Sequence, residues 1–393
     1  MGSMRERPPG SRRWQLRVYA GHGAYVTRTF DGSERDARKE LARLEVAALE
    51  GAAPRPSRDT VATLLDDWWS QKAWKSVGGR RQARSDLDRY LVPQLGKIRL
   101  AKLSDEHISG LYRRLQAQGS DCLAKRGQPL GPATIRRLHV TLRSALAWGV
   151  RKGRLGRNPA VYVDVPAAPK TKVRGPDPEE LQILLAATTI GSLDFAVFVR
   201  LAAATGRRRE DILGITTSDL RPNEGAIVFE RRVVLGGKGE GVVIEELDKN
   251  GRSARVDVDP VTMEWVVTLL EERRQRARLF GATWGKRAYL FSDDPVGAAP
   301  WRPDSTSREF RLLRDRAGLL HLTLHSIRHG HITELLEGGM NVEAVALRVG
   351  DNPNTIFNTY AHARRTADRR AAAIMDQVLN GQARRLVAVE ASS

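Results

Sequence analysis

Alternation of apolar and polar positions opens the chain: Trp14, Leu16 and Val18, then Tyr25, Thr27 and Thr29, flank Gly21 to Gly23. A period of two on either side of a glycine turn predicts an antiparallel ribbon. The period becomes helical at Ala37, Leu41, Leu44 and Ala48, with Ser33 placed to cap the helix. Residues 12–50 therefore read as a small three-stranded sheet backed by one helix; the three residues ahead of Met4 carry no weight in this reading. Gly51 to Ser57, with Pro54 and Pro56, reads as a linker.

From Thr60 to about Pro166 the pattern is helical throughout, starting with Val61, Leu64, Leu65, Trp68 and Trp69 and ending with Ile135, Leu138, Leu142, Leu146 and Val150. Leu100, Leu103, Ile108 and Leu111 mark a further helix, started by Ser104, with Asp105 and Glu106 in the first turn where the helix dipole favours anions. This stretch predicts a helical bundle. Pro166 to Pro178 is rich in Pro and Lys/Arg and lacks apolar periodicity, so it reads as an extended basic connector. Beyond it, Leu181 to Thr188 and Phe195 to Ala204 read as helices. Ala226 to Val234, Gly241 to Leu247 and Ser253 to Val258 read as strands, the last two joined around Asn250-Gly251, a strong hairpin signal. Helices then dominate to the end.

The predicted fold is multidomain and mainly α. Residues 1–56 form a sheet-plus-helix module with its linker, 57–166 the helical bundle, 167–178 a connector, and 179–393 a mixed α+β domain. A length of 393 residues agrees with several domains, since single cores stop growing well short of it.

Charge narrows the partner. With 65 Lys plus Arg against 46 Asp plus Glu the chain carries +19, which points to a polyanion. No apolar run approaches the roughly 20 residues of a membrane span, and the start lacks the apolar core of a signal peptide, so the expected location is the cytosol or bacterial nucleoid. The single Cys122 lacks the sister cysteines of a disulfide or a zinc site and reads as a small apolar residue. Arg80, Arg81, Arg84, Arg136, Arg137 and Arg143, with Arg151, Lys152 and Arg154, give the bundle basic faces; such arginines are ordinarily a solvated surface, and a DNA-binding role for them needs the rest of the chain. The Arg- and Ala-rich composition would suit a GC-rich bacterial host.

Three stretches can carry chemistry. In Thr205-Gly206-Arg207-Arg208-Arg209-Glu210-Asp211 one helix stops and another starts beside a cluster of guanidiniums, whose planar forks match phosphate oxygens, although pairing with Glu210 and Asp211 at the surface is the plainer reading. In Leu324-His325-Ser326-Ile327-Arg328-His329-Gly330-His331, His325 and Arg328 share a helical face and can act on one anion. His325 and His329 also have the i, i+4 spacing of a metal pair, but no carboxylate of the zinc-protease motif lies between them, so no metal is expected. Tyr360, in Asn358-Thr359-Tyr360-Ala361-His362, would alone read as packed core.

Arg208, Lys249, His325, Arg328 and Tyr360 are, in that order, the parts needed to transfer a phosphodiester onto a protein hydroxyl, and here the chain resembles the tyrosine recombinases, specifically phage-type integrases of the lambda class. The most specific matches are Thr205-Gly206-x-Arg208-x-x-Asp211, Leu324-His325-x-x-Arg328-His329, and Thr359-Tyr360-x-His362 downstream of Val349-Gly350. Leu95-Gly96-Lys97-Ile98-x-Leu100-x-x-Leu103 and Asn158-Pro159 are similar to the family's core-binding domain. The resemblance covers nearly the whole chain. It implies an arm-site-binding module first, then a core-binding domain, then a catalytic domain whose C-terminal segment docks on a neighbouring protomer.

The resemblance further implies that Arg208 and Arg328 hold the nonbridging oxygens of the scissile phosphate and that Lys249 protonates the departing 5′ oxygen, with Lys238 in another Gly-rich turn as the alternative. His325 would be the general acid/base and Tyr360 the nucleophile, with no metal or other cofactor, because a phosphotyrosine bond conserves the energy for religation. Partners would be duplex DNA at core and arm sites, further copies of the chain in a tetramer, and DNA-bending and excision-directing proteins. Asp351 departs from the pattern, standing where the family usually has His or Trp. A carboxylate there would repel phosphate unless turned away or neutralised. The expectation is that Asp351 turns away to cap backbone amides, its phosphate contact passing to a neighbour such as His329 or staying unfilled. Two rivals are a catalytically silent DNA-binding regulator on the same scaffold, with Asp351 marking decay, and a relaxing topoisomerase, which leaves the arm-like module without a purpose.

Overall fold

A computed structural model describes residues 2–19, 25–49, 59–119, 127–167, 174–247 and 253–360, together with 372, 375, 376 and 378–380. Outside these lie the Gly21 to Gly23 turn, the linker around Pro54, Cys122, residues 168–173 of the basic connector, Lys249 with Asn250-Gly251, His362, and most of the C-terminal segment. The chain divides into two compact units, Met1–Thr171 and Lys172–Ser393.

In the first unit β1 (Ser3–Glu6), β2 (Arg13–Tyr19) and β3 (Tyr25–Asp31) form an antiparallel sheet in that order, with Leu16 paired to Met4 and Arg28. The period-two pattern is realised on β2, where Leu16 and Val18 are buried beneath α1 (Glu34–Leu49), as is Ala37 of that helix, all three at most 3% exposed. Ser33 accepts from the Asp36 amide at the start of that helix. Strand β1 begins at Ser3, inside the stretch given no weight above.

The bundle comprises α2 (Val61–Gln71), α3 (Val77–Asp86) running through a π-turn into the short α4 (Val92–Leu95), α5 (Asp105–Gln118) and α6 (Pro132–Arg151). Their stripes of Val61, Leu64, Leu65, Ile108, Leu111, Ile135, Leu138 and Leu142 make one core. Ser104 caps α5 as the sequence suggests, and His107 closes the capping box in the place of the usual Glu or Gln. Of the arginines proposed to face DNA, Arg81, Arg136 and Arg143 are exposed on α3 and α6, and Arg80 stacks over Trp69 at 4.8 Å. Arg84 pairs with Asp66 at 2.6 Å and with Asp88, and Arg137 reaches the buried Asp86 at 3.0 Å.

In the second unit α7 (Pro178–Ala187), α8 (Leu193–Thr205) and the five-residue α9 (Arg209–Leu213) lead into strands. β4 (Leu220–Arg221), β5 (Ala226–Phe229) and β8 (Ala254–Asp257) form one antiparallel sheet, and β6 (Arg231–Leu235) pairs with β7 (Val242–Glu246) in a separate ribbon. This corrects the predicted hairpin: β7 and β8 do not pair, since β8 returns to β5 and β7 to β6. The strand predicted over 226–234 is also interrupted at Glu230, which lets β6 leave the sheet. Lys238 is exposed in the turn of the β6–β7 ribbon.

Helices α10 (Pro260–Leu279), α11 (Pro303–Arg316), α12 (Leu324–Glu337), α13 (Val342–Val349) and α14 (Pro353–Thr359) follow. α10 and α12 pack against α8, whose Phe195, Val197, Phe198, Val199 and Leu201 are all buried because it lies at the centre of the core. A small second cluster joins Ile332, Val345, Ala346, Val349, Ile356 and Tyr360. Among the described residues no helix is long and apolar enough to cross a membrane.

Candidate active site

Two helix ends create the site. α8 stops at Gly206 and α13 at Gly350, both in the left-handed region at φ of 62° and 65°. At Gly206 the requirement is also steric, because a Cβ there would lie 2.4 Å from the His331 ring. The carbonyls left over at these ends are the negative pole of each helix and receive cations. Arg328 Nη1 donates to Gly206 O at 2.8 Å and to Val349 O at 2.5 Å, and Arg208 Nη1 donates to Gly350 O at 2.6 Å. Behind them Arg207 donates to Leu347 O at 3.3 Å, Arg348 to Ala204 O at 2.8 Å, and His331 Nδ1 lies 2.8 Å from Ala203 O.

Arg208 occupies the cap position of α9, and Arg328 lies one turn into α12, a helix fixed by a capping box between Thr323 and Ser326. The two side chains differ in access, with 33% of Arg208 exposed against 4% of Arg328. Their second arms meet at one point: Nη2 of Arg208 and Nη2 of Arg328 each donate to Asp351 Oδ2 at 2.7 Å.

The expectation for Asp351 is therefore wrong. Its carboxylate is not turned away but sits between both guanidiniums and keeps a single amide contact, Oδ1 to the N–H of Asn352 at 2.9 Å. Charge-assisted bonds to two cations outweigh bonds to neutral amides, and the turn at Gly350 brings the carboxylate within reach of both. Capping of α14 falls to Asn352, which accepts from the Asn354 amide at 2.8 Å. Burial alone would raise the Asp351 pKa, but Arg208, the Asn352 amide and Arg328 hold it below the ordinary carboxylate value. Asp211 shows the opposite balance: nearly sealed from solvent, it is pushed up by burial against the pull of Arg207, Arg208 and Arg328. Arg207, 2% exposed, is lowered to about 10 by burial and by its cationic neighbours and stays charged at neutral pH.

Tyr360 ends α14 with only 6% of its surface exposed. Burial raises its pKa, opposed by Arg328 and reinforced by Asp351. Its hydroxyl is hydrogen bonded to Nδ1 of His329, not to His325. His325 stands one turn away, its ring edge-on to that of His329 at 4.6 Å between centroids. Burial and the charges of Arg328 and Arg208 lower the His325 pKa. Burial, His325 and Arg328 lower His329 to about 4, so its ring is neutral at pH 7 and can accept the tyrosine's proton, taking Nδ1 as the unprotonated nitrogen.

The structure thus brings together Arg208, Arg328, His325, Asp351 and Tyr360, and leaves Lys249 outside the described residues. The hand-over of a phosphate contact to a neighbour such as His329 concerns the DNA-bound state; in the DNA-free protein that ring is engaged by Tyr360. The sequence reading missed this engagement and the role of Arg207 and Arg348 behind the clamp. Arg207 stood in the singled-out arginine run, and His329 in the histidine-rich motif, but their contacts span 140 and 31 residues and leave no local pattern. Among the described residues no group of three or more His, Cys, Asp or Glu side chains could hold a metal.

Residues 177–366 match the phage integrase family. An integrase of Saccharopolyspora erythraea is 23% identical over 386 residues, covering 83% of this chain and 82% of that protein. A XerC-like tyrosine recombinase of Caldanaerobacter subterraneus subsp. tengcongensis is 23% identical over 289 residues, covering 68% and 70%. Among solved structures, the integrase of transposon Tn1549 in complex with transposon right end DNA superposes with a TM-score of 0.62 at 18% identity, covering 80% of this chain and 99% of that one. A lambda integrase dimer bound to a core site gives 0.57 at 15% identity, covering 90% and 95%. The matched family, these relatives and the shared fold together place the chain in the tyrosine recombinase family of site-specific DNA recombinases.

Proposed function

We propose that the chain is the integrase of a mobile element or phage, which cuts and rejoins duplex DNA through a 3′-phosphotyrosine intermediate within a tetramer. The observation that carries this reading is the convergence of Arg208 and Arg328 on one oxygen position beside the Tyr360 hydroxyl. Two guanidiniums aimed at one point suit the nonbridging oxygens of a phosphodiester, whose charge is redistributed in the transition state. The Tyr360 oxygen attacks phosphorus while its proton passes to His329. The bond to the 5′ oxygen breaks, and that oxygen takes a proton from Lys249 or His325. A stepwise transfer from a tyrosine of raised pKa to a histidine near 4 is steeply uphill, so the proton moves as the new P–O bond forms.

The lambda integrase structure with a comparable fold, a tetramer bound to a Holliday junction at a TM-score of 0.53, supports the tetrameric part of the reading. The exposed Arg81, Arg136 and Arg143 of the bundle are its proposed core-site contacts, and the sheet-plus-helix module its proposed arm-site reader. Such contacts make binding steeply salt dependent.

The occupied clamp favours one other reading, a DNA-binding regulator whose site has been silenced by Asp351. A duplex nicked beside a crossover sequence separates the two. The integrase is trapped as a covalent adduct on a denaturing gel, and Tyr360→Phe abolishes the adduct while leaving binding within a few-fold. No adduct from the wild-type chain on its own element's junction supports the regulator, and an adduct from Tyr360→Phe moves the nucleophile elsewhere.

A further inference from the structure

We infer that Asp351 is a built-in stand-in for the scissile phosphate: an internal anion that fills the Arg208–Arg328 clamp in the DNA-free protein and must be displaced by a phosphate oxygen. The inference rests on the integrase reading and extends it, since it makes Asp351 a positioning residue and neither a bystander nor a mark of decay.

Three features of the clamp argue for displacement over permanent bracing. Each guanidinium is already fixed without Asp351, through Nη1 and the helix-end carbonyls of Gly350, Gly206 and Val349. Only the two Nη2 arms turn to the carboxylate, so what Asp351 occupies is the part of the clamp left over for an oxyanion. The place is also accessible. With 33% of the Arg208 side chain exposed against 4% of Arg328, an incoming anion approaches from the Arg208 side. Finally, the carboxylate is ionised at neutral pH and repels an adjoining phosphate, so the two cannot share the Nη2 arms.

Displacement has a consequence along the chain. Asp351 directly precedes Asn352, the cap of α14, and Tyr360 closes that seven-residue helix. Filling the clamp with phosphate therefore pulls on the turn that carries the nucleophile, which ties exposure of Tyr360 to arrival of the DNA backbone. In the DNA-free state the same contact keeps the guanidiniums from binding other anions.

The test uses the full chain, with inorganic phosphate as the probe, measured by titration calorimetry at constant ionic strength. Asp351→Asn keeps the shape and an acceptor oxygen but removes the competing charge. It should bind phosphate at least about tenfold more tightly than wild type, a change of about 1.4 kcal/mol. The gain should vanish in the double variant Arg208→Ala/Asp351→Asn. Asp351→Ser, which is too short to reach both arms, should show the same gain and serves where the amide fails to fold. On DNA, Asp351→Asn should reach half-maximal adduct formation at lower DNA concentration than wild type.

Unchanged or weaker phosphate binding by a folded Asp351→Asn or Asp351→Ser overturns the inference and leaves Asp351 a brace. A gain that persists in the double variant overturns it too, placing the added phosphate elsewhere on this basic surface. A wild-type crystal soaked in phosphate decides the matter without any variant: an anion on both Nη2 arms with Asp351 swung out supports displacement, and Asp351 in place at saturation refutes it. Phosphate binding needs no strand cleavage, so failure of the integrase reading, seen as absence of a covalent adduct, is distinguishable from failure of this one.

Discussion

Arg328 follows Ile327, which is 1% exposed in the large core of the second unit, and its guanidinium is tied to carbonyls at the ends of two helices. Tyr360 is held differently, by a small cluster of Ile332, Val345, Ala346, Val349 and Ile356 and by the His329 ring. Local opening is opposed chiefly by the apolar contacts it must break, so the Arg328 end of the clamp moves only with the core, whereas the tyrosine segment can shift by giving up one short helix. The chemistry asks for this difference. Two arginines preorganised around a charge stabilise it best when they do not move, while a nucleophile that cuts and religates needs to approach and withdraw.

Removing the rigid partner is the largest way to break the comparison. Arg328→Ala should lower cleavage by about 100- to 1000-fold and also destabilise the fold by about 3–5 kcal/mol, because it strips a buried cation from a carboxylate and from helix ends. Arg208→Ala should show a similar loss of rate with a smaller loss of stability, its side chain being 33% exposed. Single-turnover cleavage alongside urea unfolding checks both, and equal destabilisation by the two variants would contradict the difference in anchoring.

His329→Asn comes next. The amide oxygen can still receive the Tyr360 hydroxyl but is not a base, so cleavage should fall about 100-fold with DNA binding intact. A variant that cleaves normally would reduce His329 to a tether.

Ile356→Ala sharpens the comparison from the tyrosine side. Truncating a residue 1% exposed in the small cluster should cost about 2–5 kcal/mol locally, reducing cleavage by roughly tenfold without weakening phosphate binding at the clamp. A parallel loss of phosphate affinity would show that the two halves move together.

A further effect is on pH. His329 and His331 are each lowered to about 4 by burial first and then by neighbouring positive charge, so between about 4 and 6.5 the unfolded chain binds more protons than the folded one. Stability should therefore rise with pH across that window and level off above it. A thermal melting series from pH 4.5 to 7.5 measures this, and His331→Gln should flatten part of the slope.

Much of this was legible in the chain itself, and for a common reason. The β2 alternation, the Ser104 cap, the apolar stripes of the bundle and the Thr205-Gly206 helix stop are written in neighbours a few residues apart, where backbone geometry and burial act directly on sequence. The order of Arg208, His325, Arg328 and Tyr360 was equally readable. Strand pairing was not. β6 and β7 pair with each other, and β8 with β5, because the break at Glu230 redirects the chain, while the Asn250-Gly251 signal speaks only for a turn and not for the strands that meet. The partners of Asp351 and Tyr360 were likewise beyond reach. Asp351 meets Arg208 across 143 residues and Arg328 across 23, and His329 meets Tyr360 across 31. A residue type and its local period say which groups are available; which cation a carboxylate chooses, and which ring receives a hydroxyl, depends on distances that exist only once α8, α12 and α13 have packed.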